Sequence, residues 1–142
     1  MKECAQLLAE YPAYSDRAAG FAAKVRDISE ILTELGPVAP RHPLPVTIAY
    51  HDACHLAHGQ KVTLPPRELL NWIPGLKVVS LYESDMCCGA AGTYNLTQPE
   101  MARQLAERKL RHIQATGARI RVTGTVRCPM QVQSAAPRRG VD

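Results

Sequence analysis

The chain has 142 residues, 46% of them hydrophobic and 21% charged, the composition of an ordinary globular protein and not of a disordered one. That length suits one domain able to bury roughly two thirds of its unfolded surface. Net charge is +4, but Lys and Arg are scattered among acids, only Arg138-Arg139 forms a short basic cluster, and the few aromatics do not alternate with basic residues; this argues against nucleic-acid binding.

The amino terminus, MKECAQLLAEYPAYSD, lacks the apolar core of a signal peptide, so a cytoplasmic location is expected. No apolar run approaches the ~20 residues a membrane span requires, which argues against direct membrane insertion. A helix is predicted from Asp16 to Leu35, capped by Ser15 and stopped by Gly36-Pro37. Ala18, Phe21, Ala22, Val25, Ile28, Leu32 and Leu35 share one face of it at helical spacing, the pattern of a packing helix. GPVAPRHPLP follows, with four prolines, and reads as a connector. The expected organisation is therefore a helical arm (1–36), a proline-rich connector (37–45) and a core domain (46–142).

Val46 to Tyr50 is a β-branched, apolar run with the signal of a buried strand. Further strands are predicted at Leu76–Tyr82 and, with weaker alternation, at Ala118–Thr123. Helical patterns lie between them. PPRELLNW opens on prolines that suit a first turn. In TQPEMARQLAERKLRHIQATG, Thr97 and Glu100 have capping-box spacing, Gly117 is a stop, and Met101, Ala102, Leu105, Ala106, Leu110 and Ile113 line one face. Strand–helix alternation of this kind predicts an α/β fold: a small parallel-sheet core of βα units with an N-terminal helical arm.

Five cysteines is an odd number, and in a reducing compartment metal or redox chemistry is a better expectation than a disulfide framework. Cys87 and Cys88 are neighbours. Their Cα atoms are only about 3.8 Å apart, too close for ready bridging to each other, so they point to other partners or to one shared partner. Cys54 follows the first predicted strand, Cys87 and Cys88 the second, and Cys128 the third. Loops after parallel strands emerge at one sheet edge, where ligands bind, so the topology brings four thiols together. Four thiolates can hold zinc or an iron–sulfur cluster. Zinc ribbons use two short Cys-x-x-Cys pairs. Here a single, a vicinal pair and a single are separated by 32 and 39 residues, a spread that a larger inorganic core accommodates more readily. The small residues of CCGAAG allow backbone N–H groups to approach anionic sulfide, or simply make a tight loop.

YHDACHLAHGQ (50–60), MCCGAAGTYNLTQPEMARQLAERKL (86–110) and the later Cys128 resemble the cysteine-rich CCG domain, found in a subunit of heterodisulfide reductase, in the lactate-utilisation iron–sulfur protein and in the iron–sulfur subunit of glycolate oxidase. The resemblance covers nearly the whole chain. GTYNL (92–96), RDISEIL (26–32) and Gln131 look most like the glycolate oxidase type. It implies that Cys54, Cys87, Cys88 and Cys128 ligate an iron–sulfur cluster of the 4Fe–4S class, in some relatives non-cubane, with zinc the alternative. It further implies electron transfer from flavin-containing oxidase subunits that oxidise glycolate or a related 2-hydroxy acid, and a cytoplasmic position peripheral to the inner membrane through partners. The chain has no G-x-G-x-x-G dinucleotide fingerprint of its own, so it would be the electron-transfer subunit of a glycolate dehydrogenase complex. Substrate chemistry would lie elsewhere.

The chain departs from that pattern in places. Some relatives end the motif Cys-x-x-Cys; Gln131 takes the second position here, leaving four motif thiols. Thr125-Val126-Arg127 stands where an Asn-Pro-Gly is usual, so Arg127 either pairs with an anionic cluster or restricts the loop. The ending SAAPRRGVD replaces a longer helical tail. Full-length relatives are about three times this size, so the sequence reads as the carboxy-terminal repeat alone. Cys4, without a motif partner, reads as a small packed or surface thiol. His51, His55 and His58 read as hydrogen-bonding or surface groups. Asp52 caps a helix or supports Cys54, Tyr94 and Asn95 shape a loop, and Trp72 packs in the core. A structural zinc module that docks partners, a thiol–disulfide enzyme and an inactive fragment are the competing functions. The missing Cys-x-x-Cys disfavours the second of these.

Overall fold

A computed structural model describes residues 1–136; the predicted Arg138-Arg139 cluster and most of the SAAPRRGVD ending lie outside the described residues. The chain divides into two compact units, Met1–Val38 and the remainder from Ala39.

The first unit holds three short helices, α1 (Cys4–Leu7), α2 (Ser15–Lys24) and α3 (Ile28–Leu35). The single helix predicted from Asp16 to Leu35 is thus two. Val25 is extended (φ −73°, ψ 121°) and Asp27 starts a new helix with a capping box. The Asp27 carboxylate accepts from the Ser29 N–H at 2.9 Å, and Glu30 accepts from the Asp27 N–H at 2.7 Å. These reciprocal bonds satisfy N-terminal donors that an unbroken helix would not have exposed. Ser15 is the first helical residue, with no capping bond to the helix N–H groups. Of the predicted packing face only Ala18 is buried; Phe21, Ile28, Leu32 and Leu35 are exposed. A unit this small cannot cover such a face by itself.

The second unit is an α/β structure. Its sheet has three parallel strands, β1 (Thr47–His51), β2 (Lys77–Val79) and β3 (Ile120–Thr123), in the order β2-β1-β3. β1 pairs with β2 from Thr47↔Lys77 to Ala49↔Val79, and with β3 from Ile48↔Ile120 to His51↔Thr123. As the central strand it is buried from Ile48 to His51, as expected where helices cover both faces. α4 (Leu64–Asn71), α5 (Tyr94–Thr97), α6 (Pro99–Ala115) and α7 (Arg127–Ser134) complete the unit.

α6 buries Ala102, Ala106, Leu110 and Ile113 as its spacing predicts, while Met101 is exposed and Lys109 is buried. The predicted capping box at its start does not form. Thr97 belongs to α5, and Glu100 instead accepts from Arg103 (2.7 Å) and Gln104 (3.2 Å) on the helix surface. Pro99 opens the helix with no side-chain cap, and Gly117 (φ +65°) ends it. Trp72 is half-buried, not core. Its ring carries the Arg41 guanidinium at 4.8 Å, a cation–π contact that leaves one face near solvent. Leu81, Cys88, Leu110, Ile113, Cys128 and Val132 form the main apolar cluster, so two of the predicted ligand cysteines sit in the core.

Candidate metal centre

With the order β2-β1-β3, the chain runs from β1 outward to one neighbour and then crosses to the other side. This creates a crevice at the carboxyl ends of β1 and β3, where open α/β sheets bind ligands. His51 is the last residue of β1. Cys54 begins the one-turn π-helix His55–Gly59, a form that recurs at functional sites. Cys87 and Cys88 lie in the loop after β2, and Cys128 is in the first turn of α7, directly after β3. All four motif cysteines are therefore carried by segments that leave the same edge of the sheet.

A ring nitrogen of His51 and the sulfurs of Cys88 and Cys128 lie within 4.8 Å of one another, and all three residues are buried. Cys54 and Cys87 are close enough to act on one another as a second pair. Cys54 also feels Cys88, and Cys128 feels both Cys54 and Cys87. The five cysteines are all free thiols. The neighbouring Cys128 thiol lowers the Cys88 pKa against the opposing effect of burial, helped by the Ala90 N–H. The same contact, then burial, pushes Cys128 up. Cys88 is thus the more acidic thiol of the pair. Burial and the neighbouring Cys87 raise Cys54. Cys87 accepts from the Gly89 N–H at 3.4 Å.

The loop between β2 and α5 is aimed by unusual backbone and a buried cation. Glu83 has a positive φ of 52°. Its carbonyl and that of Ser84 both accept from the Lys109 ammonium, which is 0% exposed. Burial lowers the Lys109 pKa, against the pull of Asp85, Cys88, Glu83 and Cys128. The Ser84 carbonyl also accepts from the Asp52 N–H at 3.0 Å and from His51 Nδ1 at 2.8 Å. Ser84 thereby ties the loop carrying Cys87 and Cys88 to the end of β1. Asp52 neither caps a helix nor contacts Cys54 by a hydrogen bond. Its carboxylate takes both arms of Arg67 from α4, each at 2.5 Å. Burial pushes this carboxyl up, and the bonds from Arg67 and Ser84 outweigh it, holding it below its usual range.

Arg127 is exposed on α7 and makes no ion pair among the described residues. A buried cation close to Cys88 and Cys128 is instead Lys109, which sequence reading missed because it sits on an otherwise amphipathic helix. Gln131 turns its amide toward the Ala102 carbonyl at 3.5 Å. His55 and His58 are exposed, and His58 meets the Asp85 carbonyl at 3.1 Å. Cys4 lies in α1 of the first unit. The other residue that sequence reading undervalued is His51. Nothing in YHDACH separates it from His55; only its place at the end of the buried central strand does.

The donor set fits a thiolate-bound metal centre. It offers four sulfurs and the buried His51 Nε2, which has no hydrogen bond within ordinary limits. Unpaired buried polar atoms are rare and costly. A cavity of about 370 Å³ lined by His51, Thr123, Cys128, Arg119 and Arg121 adjoins the donors.

Residues 48–133, from the start of the buried central strand through α7, match the cysteine-rich domain family CCG. The chain belongs to the CCG family. The match contains all four motif cysteines and His51. Among curated relatives of this CCG chain, the probable glycolate oxidase iron-sulfur subunit of Bacillus subtilis is 34% identical over 143 residues, covering 99% of this chain and 32% of that protein. A subunit of the fumarate reductase (CoM/CoB) from Methanothermobacter marburgensis is 33% identical, covering 96% and 27%. Lactate utilization protein A of Halalkalibacterium halodurans is 30% identical, covering 97% and 57%. The chain thus spans about a third or less of the first two and somewhat over half of the third. No solved structure is significantly similar to it. Among the described residues, no helix is long and apolar enough to cross a membrane.

Proposed function

We propose that this chain binds an iron–sulfur cluster of the 4Fe–4S class through Cys54, Cys87, Cys88 and Cys128, and relays electrons within a 2-hydroxy-acid oxidase complex. The observation that carries the reading is the delivery of four thiols to one edge of a parallel sheet by three successive strand-to-helix segments. The names of relatives as iron–sulfur proteins and as subunits of larger enzymes support it. A cluster of this class takes up and passes on single electrons. The chain's own residues supply anionic sulfur, hold it in an apolar pocket with Leu81, Leu110, Ile113 and Val132, and place the Lys109 charge nearby. A flavin-containing partner would supply the electrons, glycolate would be the first candidate substrate, and any contact with a membrane would come through partners of a cytoplasmic chain.

Zinc is the second reading. It is favoured by the His51–Cys88–Cys128 triad, whose spacing suits a single ion. Anaerobic reconstitution with ferrous iron and sulfide, followed by metal and acid-labile sulfide analysis, separates the two. The cluster reading expects a brown protein with matched iron and sulfide. A colourless protein that retains zinc and rejects iron would replace it.

A further inference from the structure

We propose that His51 is a fifth protein ligand of this centre, binding metal through Nε2. The proposal rests on the metal-centre reading above and adds a donor of a different chemical type. His51 is only 5% exposed. Its Nδ1 lies 2.8 Å from the Ser84 carbonyl oxygen. A carbonyl can only accept, so Nδ1 carries a hydrogen, and Nε2 is the ring nitrogen left to offer a lone pair to a metal. That atom is fully buried and has no hydrogen bond within ordinary limits. Leaving a buried ring nitrogen unpartnered is unfavourable, and coordination relieves that cost.

A ring nitrogen of His51, Cys88 Sγ and Cys128 Sγ fall within 4.8 Å of one another, and with Nδ1 taken by the Ser84 carbonyl the nitrogen open to a metal is Nε2. Donors around one ion, at bonds of roughly 2.0–2.3 Å, lie about 3.5–4 Å apart, so a small inward movement brings all three onto a metal. The second ring nitrogen bonded to a backbone carbonyl is the support that metal-binding histidines have. Here that carbonyl is itself fixed by Lys109 and the Asp52 N–H. His51 also stands at the carboxyl end of β1, paired with Thr123 of β3, so the crevice between these strands opens on it. Gln131, one turn along α7 from Cys128, bonds to the Ala102 carbonyl, and the His51 imidazole is a buried nitrogen donor within reach of both Cys88 and Cys128.

The test is pulsed electron paramagnetic resonance on the reconstituted chain in a paramagnetic state, with natural-abundance and 15N-histidine samples. Ligation expects a strong nitrogen hyperfine coupling that changes with the label. His51→Cys offers a replacement ligand in case His51→Ala does not fold; it is expected to keep its iron, lose the coupling and shift to a lower reduction potential, because a thiolate replaces a neutral ring. If the chain takes zinc instead, X-ray absorption should find one nitrogen among the sulfur neighbours, lost in His51→Cys. Bound iron with no nitrogen coupling, or only the weak coupling of a hydrogen-bonded ring, would overturn the histidine while leaving the cluster reading intact. A chain that binds neither metal would overturn both.

Discussion

A methyl group at position 89 would meet the Ala102 carbonyl oxygen at 2.6 Å and its Cα at 2.8 Å, on a backbone whose φ is +89°. The glycine after the paired cysteines is thus required twice: for a left-handed turn, and for the loop to lie against α6. Gly89→Ala is expected to destabilise by roughly 1–3 kcal/mol from backbone strain alone, and more from the clash; a denaturant titration of the two proteins measures it. Lys109 is the other residue whose neighbourhood decides its role. Lys109→Met removes a buried positive charge near Cys88 and Cys128 and leaves the Glu83 carbonyl without its ammonium donor. Since a nearby cation favours the more negative, reduced state, the variant's reconstituted centre is expected to have a lower reduction potential by electrochemical titration. Arg127→Gly is expected to leave both potential and metal occupancy unchanged, because Arg127 faces solvent. A shift in either would place it in the site.

At the level of elements, the site depends on a loop pinned to a helix. Glu83 accepts from Arg108 and lies 3.0 Å from His112 Nε2, both on α6. Arg108 above all, and His112 with it, hold the Glu83 carboxyl below its usual range. A depressed carboxyl pKa contributes stability that is present above the unfolded value and lost as pH falls through the folded one. The tether is therefore expected to be intact at neutral pH and to loosen below pH 4.5, the ordinary carboxyl value. The group is at the surface, so the effect is local. Amide hydrogen exchange across Glu83–Cys87 should quicken in acid in the native chain and be quick already at neutral pH in Glu83→Gln. Equal protection in both would remove Glu83 from the account of how the loop is held. The same scale explains the broken first helix. Periodicity from Ala18 to Leu35 carried no sign of a break, yet Asp27, Ser29 and Glu30 contain a complete start signal, and local capping prevailed over a stripe that the unit does not bury.

For the whole molecule, the four motif cysteines act as one group and Cys4 stands apart in the other compact unit. Cys4→Ser is expected to keep full metal content after reconstitution and Cys88→Ser to lose most of it. Equal loss in both would mean the ligands are misassigned. What the sequence alone determined is the α/β class, the three strands and the positions of the thiols just beyond them, because alternation of strand and helix periods and the places of the cysteines are local facts. The tertiary structure alone decided which other groups join them. His51 and His55 are alike in sequence, as are many lysines on amphipathic helices. Placing β1 at the centre of the sheet buries His51 beside Cys88 and Cys128, and packing α6 on the loop after β2 buries Lys109 against two carbonyls. Burial and partnership of that kind arise between segments distant in the chain, so no local pattern carries them.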